Sequence, residues 1–156
     1  MRSPLPLNRI LRLALYAVLA VLFVSGAAWL GIDTDDPALP DVWRAAATVL
    51  LQVHGAGAMI FLLLLGALIP LHMQGNWSRS RPRCSGAVVL SLNAILIVTA
   101  YALYYASDGL RAWASDFHIA AGFGLPALVI FHIWHGRREV ARERALKSLD
   151  GRQPEA

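Results

Sequence analysis

Four stretches of this chain run for about twenty residues or more without one Asp, Glu, Lys or Arg: 13–32, 45–71, 87–106 and 117–135. An apolar run of ~20 residues is long enough to cross the ~30 Å hydrocarbon layer of a membrane. Inside that layer water cannot satisfy backbone N–H and C=O groups, so such a run must be a helix or part of a closed barrel. Twenty-residue runs without dyad alternation argue for helices. The expected fold is an all-α membrane protein, an up-down bundle of four transmembrane helices. Composition agrees: only 15% of residues are charged, against ~25% in a soluble domain. The organisation expected is a four-helix domain over 1–138 and a charged tail over 139–156, with no separate soluble domain.

The first run has a rival reading. Its basic start and the small residues Ser25-Gly26-Ala27-Ala28 resemble a cleaved signal peptide. Hydrophobicity continues through Trp29-Leu30-Gly31-Ile32, so a retained helix is expected. The loop GIDTDDPALPDVW at 31–43 is acidic and carries two prolines. A second short loop is expected at 107–116, with the fourth span starting between Ala112 and Phe117.

Charge placement orients the spans, because cytoplasmic loops carry an excess of Lys and Arg. Arg2, Arg9 and Arg12 precede the first span, and Arg79, Arg81 and Arg83 separate the second from the third. Arg137, Arg138, Arg142, Arg144, Lys147 and Arg152 follow the fourth. The opposite side keeps only Arg44 and Arg111, beside Asp33, Asp35, Asp36, Asp41, Asp108 and Asp116. Both termini are therefore expected in the cytoplasm of a bacterial cell, with the chain in its inner membrane. The single cysteine, Cys84, excludes an intramolecular disulfide. No C-x-x-C-H motif occurs, so covalent c-type haem attachment is excluded too. Nothing in the pattern points to nucleic acid.

All five histidines fall on the second and fourth spans. An ionisable side chain in such a segment is costly and calls for a named partner. His118 and His132 are 14 residues apart, nearly one helix face and ~21 Å of rise. His54 and His72 are 18 apart, five turns and ~27 Å. Two like-directed helices with a histidine near each end could clamp two haems, His54 with His118 near the outer surface and His72 with His132 near the inner. His135 competes with His132: it matches the depth of His72 better, but its direction is ~100° off the face of His118. Small residues near the outer histidines, Gly55, Gly57, Ala58 and Gly122, would let a flat macrocycle approach the backbone, or simply let helices pack. Arg44 and Arg111 are candidate partners for haem propionates on the outer side, and Arg79, Arg81, Arg137 or Arg138 on the inner. Gln52, Asn93 and Thr99 are candidates to orient ligands, line a quinone pocket or bond between helices.

The spacing of His118 and His132, the small residues after each outer histidine and the exit Gly136-Arg137-Arg138 carry a resemblance. The chain resembles the small bacterial four-helix b-type cytochromes, the cytochrome b561-like group and its uncharacterised relatives, over roughly Leu13 to Arg138. It departs from that pattern in having no histidine on the first span and in a longer separation on the second. The resemblance implies non-covalent haem b and electron transfer across the membrane, often with a quinone and a periplasmic cytochrome or other redox protein as partners; the two histidine pairs set the expected number of haems at two. Oxidoreductase activity of its own, on quinol or superoxide, is left open. The rival expectations are a membrane anchor subunit of a larger redox complex with one structural haem, and a haem-free membrane protein.

Overall fold

A computed structural model of the chain describes residues 7–76 and 84–150. Side chains at 7, 8, 69, 71–76, 84, 143, 147, 149 and 150 lie outside that description. Four helices make up nearly all of it: α1 (Leu7–Leu30), α2 (Asp41–Asn76), α3 (Cys84–Tyr105) and α4 (Asp108–Asp150). Each contains a stretch long and apolar enough to cross a membrane. The chain is a multi-pass membrane protein by length and composition.

The helix boundaries follow from capping chemistry. Pro40 O accepts the backbone N–H groups of Trp43 (2.9 Å) and Arg44 (3.3 Å), and Asp41 lies in the first turn of α2. A carboxylate there is favoured by the positive end of the helix dipole. The loop expected at 107–116 is instead the first turns of α4. Ser107 O accepts the Arg111 N–H at 2.8 Å, Asp108 occupies the first turn, and Arg111 reaches back to Asp108 at 3.7 Å. Charged residues end an apolar segment, but at the start of a helix an acidic one such as Asp108 stabilises it. At its other end α4 continues unbroken through Arg138 to Asp150, so the described part of the charged tail, 139–150, is helical; 151–156 lie outside the described residues.

The chain divides into two compact units, Met1–Arg81 and Pro82–Ala156. In the first, α1 packs against α2; in the second, α3 packs against α4. Each pair is an antiparallel hairpin. Ten residues, 31–40, join α1 to α2, and Ala106 and Ser107 join α3 to α4. In the longer loop Asp33 and Asp36 each accept a backbone N–H two residues on, the Asx-turn habit of aspartate. Arg44 ties this loop to α2, donating to Leu39 O, Asp36 O (2.8 Å) and Pro37 O.

The seams are narrow and built of small residues. Ala47 and Gly57 are buried on α2; Ala114, Ala121 and Leu125 are buried on α4. Along α4, positions 114, 118, 121, 125, 128 and 132 are all at least partly covered, a three-four spacing that keeps one stripe toward a neighbouring helix. Along α2 the same spacing runs through 47, 50, 54, 57, 61, 64 and 68. The histidines His54, His118 and His132 are therefore seam residues. Away from the seams the surface is apolar: Leu63 is 75% exposed and Ile130 67%. Such a surface is a liability in water and is ordinary against lipid tails.

Candidate histidine sites

In the first unit, α1 supplies the surroundings of His54. Its Nδ1 lies 3.0 Å from Leu22 O and 3.2 Å from Ser25 Oγ. Ser25 is 3% exposed and donates its own hydroxyl hydrogen to Val21 O at 2.7 Å. The next residue, Gly26, makes the room: a Cβ built there would stand 3.1 Å from His54 Cε1 and 3.3 Å from Nδ1. Gly57, one turn along α2, faces Leu22 with equally little space, 3.3 Å.

In the second unit, α3 holds two histidines in the same way. His118 Nδ1 lies 2.9 Å from Thr99 Oγ1, and that hydroxyl also reaches Ile95 O at 2.8 Å. His132 Nδ1 lies 3.0 Å from Ser85 Oγ. Thr99 and Ser85 are 14 residues apart, as are their histidines. The antiparallel register thus repeats one hydroxyl–imidazole pair at two levels of the hairpin, ~21 Å apart along the helices. Gly86 follows Ser85 and lies under His132, its would-be Cβ 3.6 Å from Cε1. A Ser-Gly dipeptide on the preceding helix therefore receives an imidazole in each unit: Ser25-Gly26 takes His54, and Ser85-Gly86 takes His132.

The remaining sequence candidates fall elsewhere. His135 stacks on Phe131 of its own helix, ring centroids 5.9 Å apart and 11° from coplanar. The His72 side chain, Arg79 and Arg81 lie outside the described residues. Arg44 is engaged with loop carbonyls, and Arg111 donates to Ala106 O at 3.2 Å besides pairing with Asp108. Arg138 sits 3.7 Å from the centre of the Trp134 ring, and Arg137 is exposed. Of the polar span residues, Thr99 orients His118, while Asn93, 3% exposed, donates to Val89 O of its own helix at 2.8 Å. Gln52 is exposed. An open depression lined by Ala20, Val21, Val24, Leu50 and Val53 lies over Ser25; its walls are apolar.

Glycines near the histidines divide into two kinds. Gly26 and Gly57 lie in close packing within the hairpin, where an added Cβ would press on His54 and Leu22. A Cβ at Gly55, Gly122 or Gly124 would meet nothing within 4 Å among the described residues, so hairpin packing does not explain them. Among the described residues no three His, Cys, Asp or Glu side chains gather to hold a metal ion. What the geometry offers is single imidazoles, each anchored through Nδ1 to a neighbouring helix.

The residues missed in the sequence are Gly26, Gly86, Ser85 and the Leu22 carbonyl. The recurrence of Ser-Gly on the first and third spans was the available signal, obscured because Ser25-Gly26-Ala27-Ala28 also reads as a processing site.

No family model, no curated protein and no solved structure matches this chain.

Proposed function

We propose that the chain is a b-type membrane cytochrome of the cytochrome b561-like kind, with His54, His118 and His132 as axial ligands of non-covalent haem and His72 as the fourth. One observation carries the reading. Three imidazoles on α2 and α4 are each held by Nδ1 against the preceding helix, as haem- and metal-ligating histidines are held by a second hydrogen bond. The donor set also fits. A lone imidazole holds a free metal ion poorly, since structural zinc takes four protein ligands. Haem iron brings four nitrogens of its own and asks only for axial partners. A Cβ added at Gly55, beside His54, or at Gly122, one turn from His118, would meet nothing within 4 Å among the described residues, which supports room for a flat ring near each.

Bound haem would supply one-electron redox chemistry. The chain's own residues hold the imidazoles at Nδ1 through Leu22 O and the hydroxyls of Ser25, Thr99 and Ser85. The four helices are proposed to form one bundle with both termini in the cytoplasm. His54 would pair with His118 and His72 with His132, the pairing expected from their faces and depths along the helices. Electrons would pass between a quinone or cytoplasmic-side donor and a periplasmic acceptor. Asp33, Asp35 and Asp36 in the 31–40 loop and Asp41 at the start of α2 are all exposed and would favour a basic redox partner.

The test is haem quantitation with a reduced-minus-oxidised spectrum, on wild type and on single alanine variants of the five histidines. Two haems per chain are expected. Loss should follow changes at His54, His118, His72 and His132, with His135→Ala retaining both. One haem per chain supports the anchor-subunit reading. A haem-sufficient preparation without a Soret band overturns the proposal.

A further inference from the structure

The hydrogen bonds at His54 and His118 carry a direction as well as a distance. Leu22 O can only accept, so at 3.0 Å the His54 Nδ1 must be the donor. Ser25 has one hydroxyl hydrogen, directed at Val21 O at 2.7 Å, so toward His54 its oxygen accepts. The Thr99 hydroxyl likewise has one hydrogen and two helix carbonyls within reach, Ile95 O at 2.8 Å and Leu96 O at 3.1 Å. With that hydrogen directed at either carbonyl, Thr99 Oγ1 is left to accept from His118 Nδ1–H, 2.9 Å away.

We infer that α1 and α3 set the tautomer of the histidines on the helices that follow them: His54 and His118 are protonated at Nδ1, and Nε2 carries the ring lone pair. Thr99 is the positioning residue for His118; for His54 the role is shared between the Leu22 carbonyl and Ser25. The nitrogen able to bind iron is thereby chosen before any haem arrives, which lowers the cost of ligation. The last step rests on the cytochrome reading, whereas the tautomer does not.

The two sites differ in a way that makes the inference testable. His54 keeps a backbone acceptor when Ser25 is changed, whereas at His118 the group that meets Nδ1 from α3 is the Thr99 hydroxyl. The experiment uses the full-length chain labelled with ¹⁵N-histidine and made without haem, with ring-nitrogen correlation spectra reporting the tautomer. Wild type should show His54 and His118 protonated at Nδ1. Thr99→Val should lose that signature at His118, Thr99→Ser should restore it, and Ser25→Ala should leave His54 unchanged. Retention of Nδ1 protonation in Thr99→Val, or its absence in wild type, would overturn the inference. If circular dichroism shows Thr99→Val unfolded, Thr99→Ala takes its place in the comparison with Thr99→Ser.

A second arm adds haem. Loss of a residue that orients a ligand costs ~10–100-fold in metal affinity, so Thr99→Val should weaken haem binding by at least ~10-fold, with Thr99→Ser close to wild type. If wild type binds no haem while the tautomer pattern holds, the cytochrome proposal fails and this inference stands. If haem binds with the tautomer indifferent to Thr99, the failure is reversed.

Discussion

At the scale of single residues, the two Ser-Gly dipeptides look alike and are under different constraint. Glycine within a helix is ~0.5–1 kcal/mol less favourable than alanine. At Gly86 the nearest atom to an added Cβ is 3.6 Å away, ordinary contact. Gly86→Ala should therefore stabilise the protein by about that amount in thermal or urea unfolding. At Gly26 the added carbon stands 3.1 Å from the His54 ring and 3.3 Å from its bonded nitrogen. Overpacking of this kind costs ~1–3 kcal/mol, so Gly26→Ala should be neutral to destabilising and should displace the imidazole. An altered haem α-band in Gly26→Ala, with none in Gly86→Ala, is the expected signature. Equal behaviour of the two variants would remove the case that Gly26 exists for His54.

At the scale of elements, the informative mismatch is the start of α4. Asp108, Arg111 and Asp116 read as a loop because they are charged and follow an apolar run. In the fold they form the first turns of a helix: Ser107 O accepts the Arg111 N–H, and the Asp108 carboxylate stands at the positive end of the helix dipole. Hydropathy locates where a segment leaves lipid, and capping locates where a helix starts, so the two boundaries need not coincide. Arg44 shows the same division of labour. A cation near a membrane boundary invites a propionate reading, yet its guanidinium gathers three carbonyls of the 31–40 loop. Arg44→Ala should speed proteolytic cleavage within residues 33–39 and cost about 1 kcal/mol, modest because the group is exposed. Haem content should not change. Loss of haem with cleavage rates unaltered would favour the propionate role instead.

At the scale of the whole molecule, each hairpin accounts for its own histidine anchoring, and the arginine distribution accounts for how the chain should lie in the membrane. Twelve of fourteen basic residues precede the first span, separate the second from the third or follow the fourth, a distribution that should place both termini in the cytoplasm. A fluorescent protein fused after Ala156 should fluoresce, and alkaline phosphatase fused there should be inactive. The same phosphatase inserted in the 31–40 loop should be active. The opposite pattern would invert the membrane orientation and exchange the inner and outer histidines.

The number of spans, their order, and the confinement of histidines to the second and fourth were legible in the sequence. Lipid forces every backbone hydrogen bond inside its own helix, so apolar length translates directly into helices. The fourteen-residue step from His118 to His132 was legible for the same reason, since helical rise is constant. Which ring nitrogen is held, and by what, was decided only in the tertiary structure. His54 meets Leu22, Ser25 and Gly26, and His132 meets Ser85 and Gly86. Those contacts depend on the register of antiparallel helices, which small residues such as Gly57 and Ala121 set by letting backbones approach. A local pattern cannot carry a register fixed by partners 19 to 47 residues away.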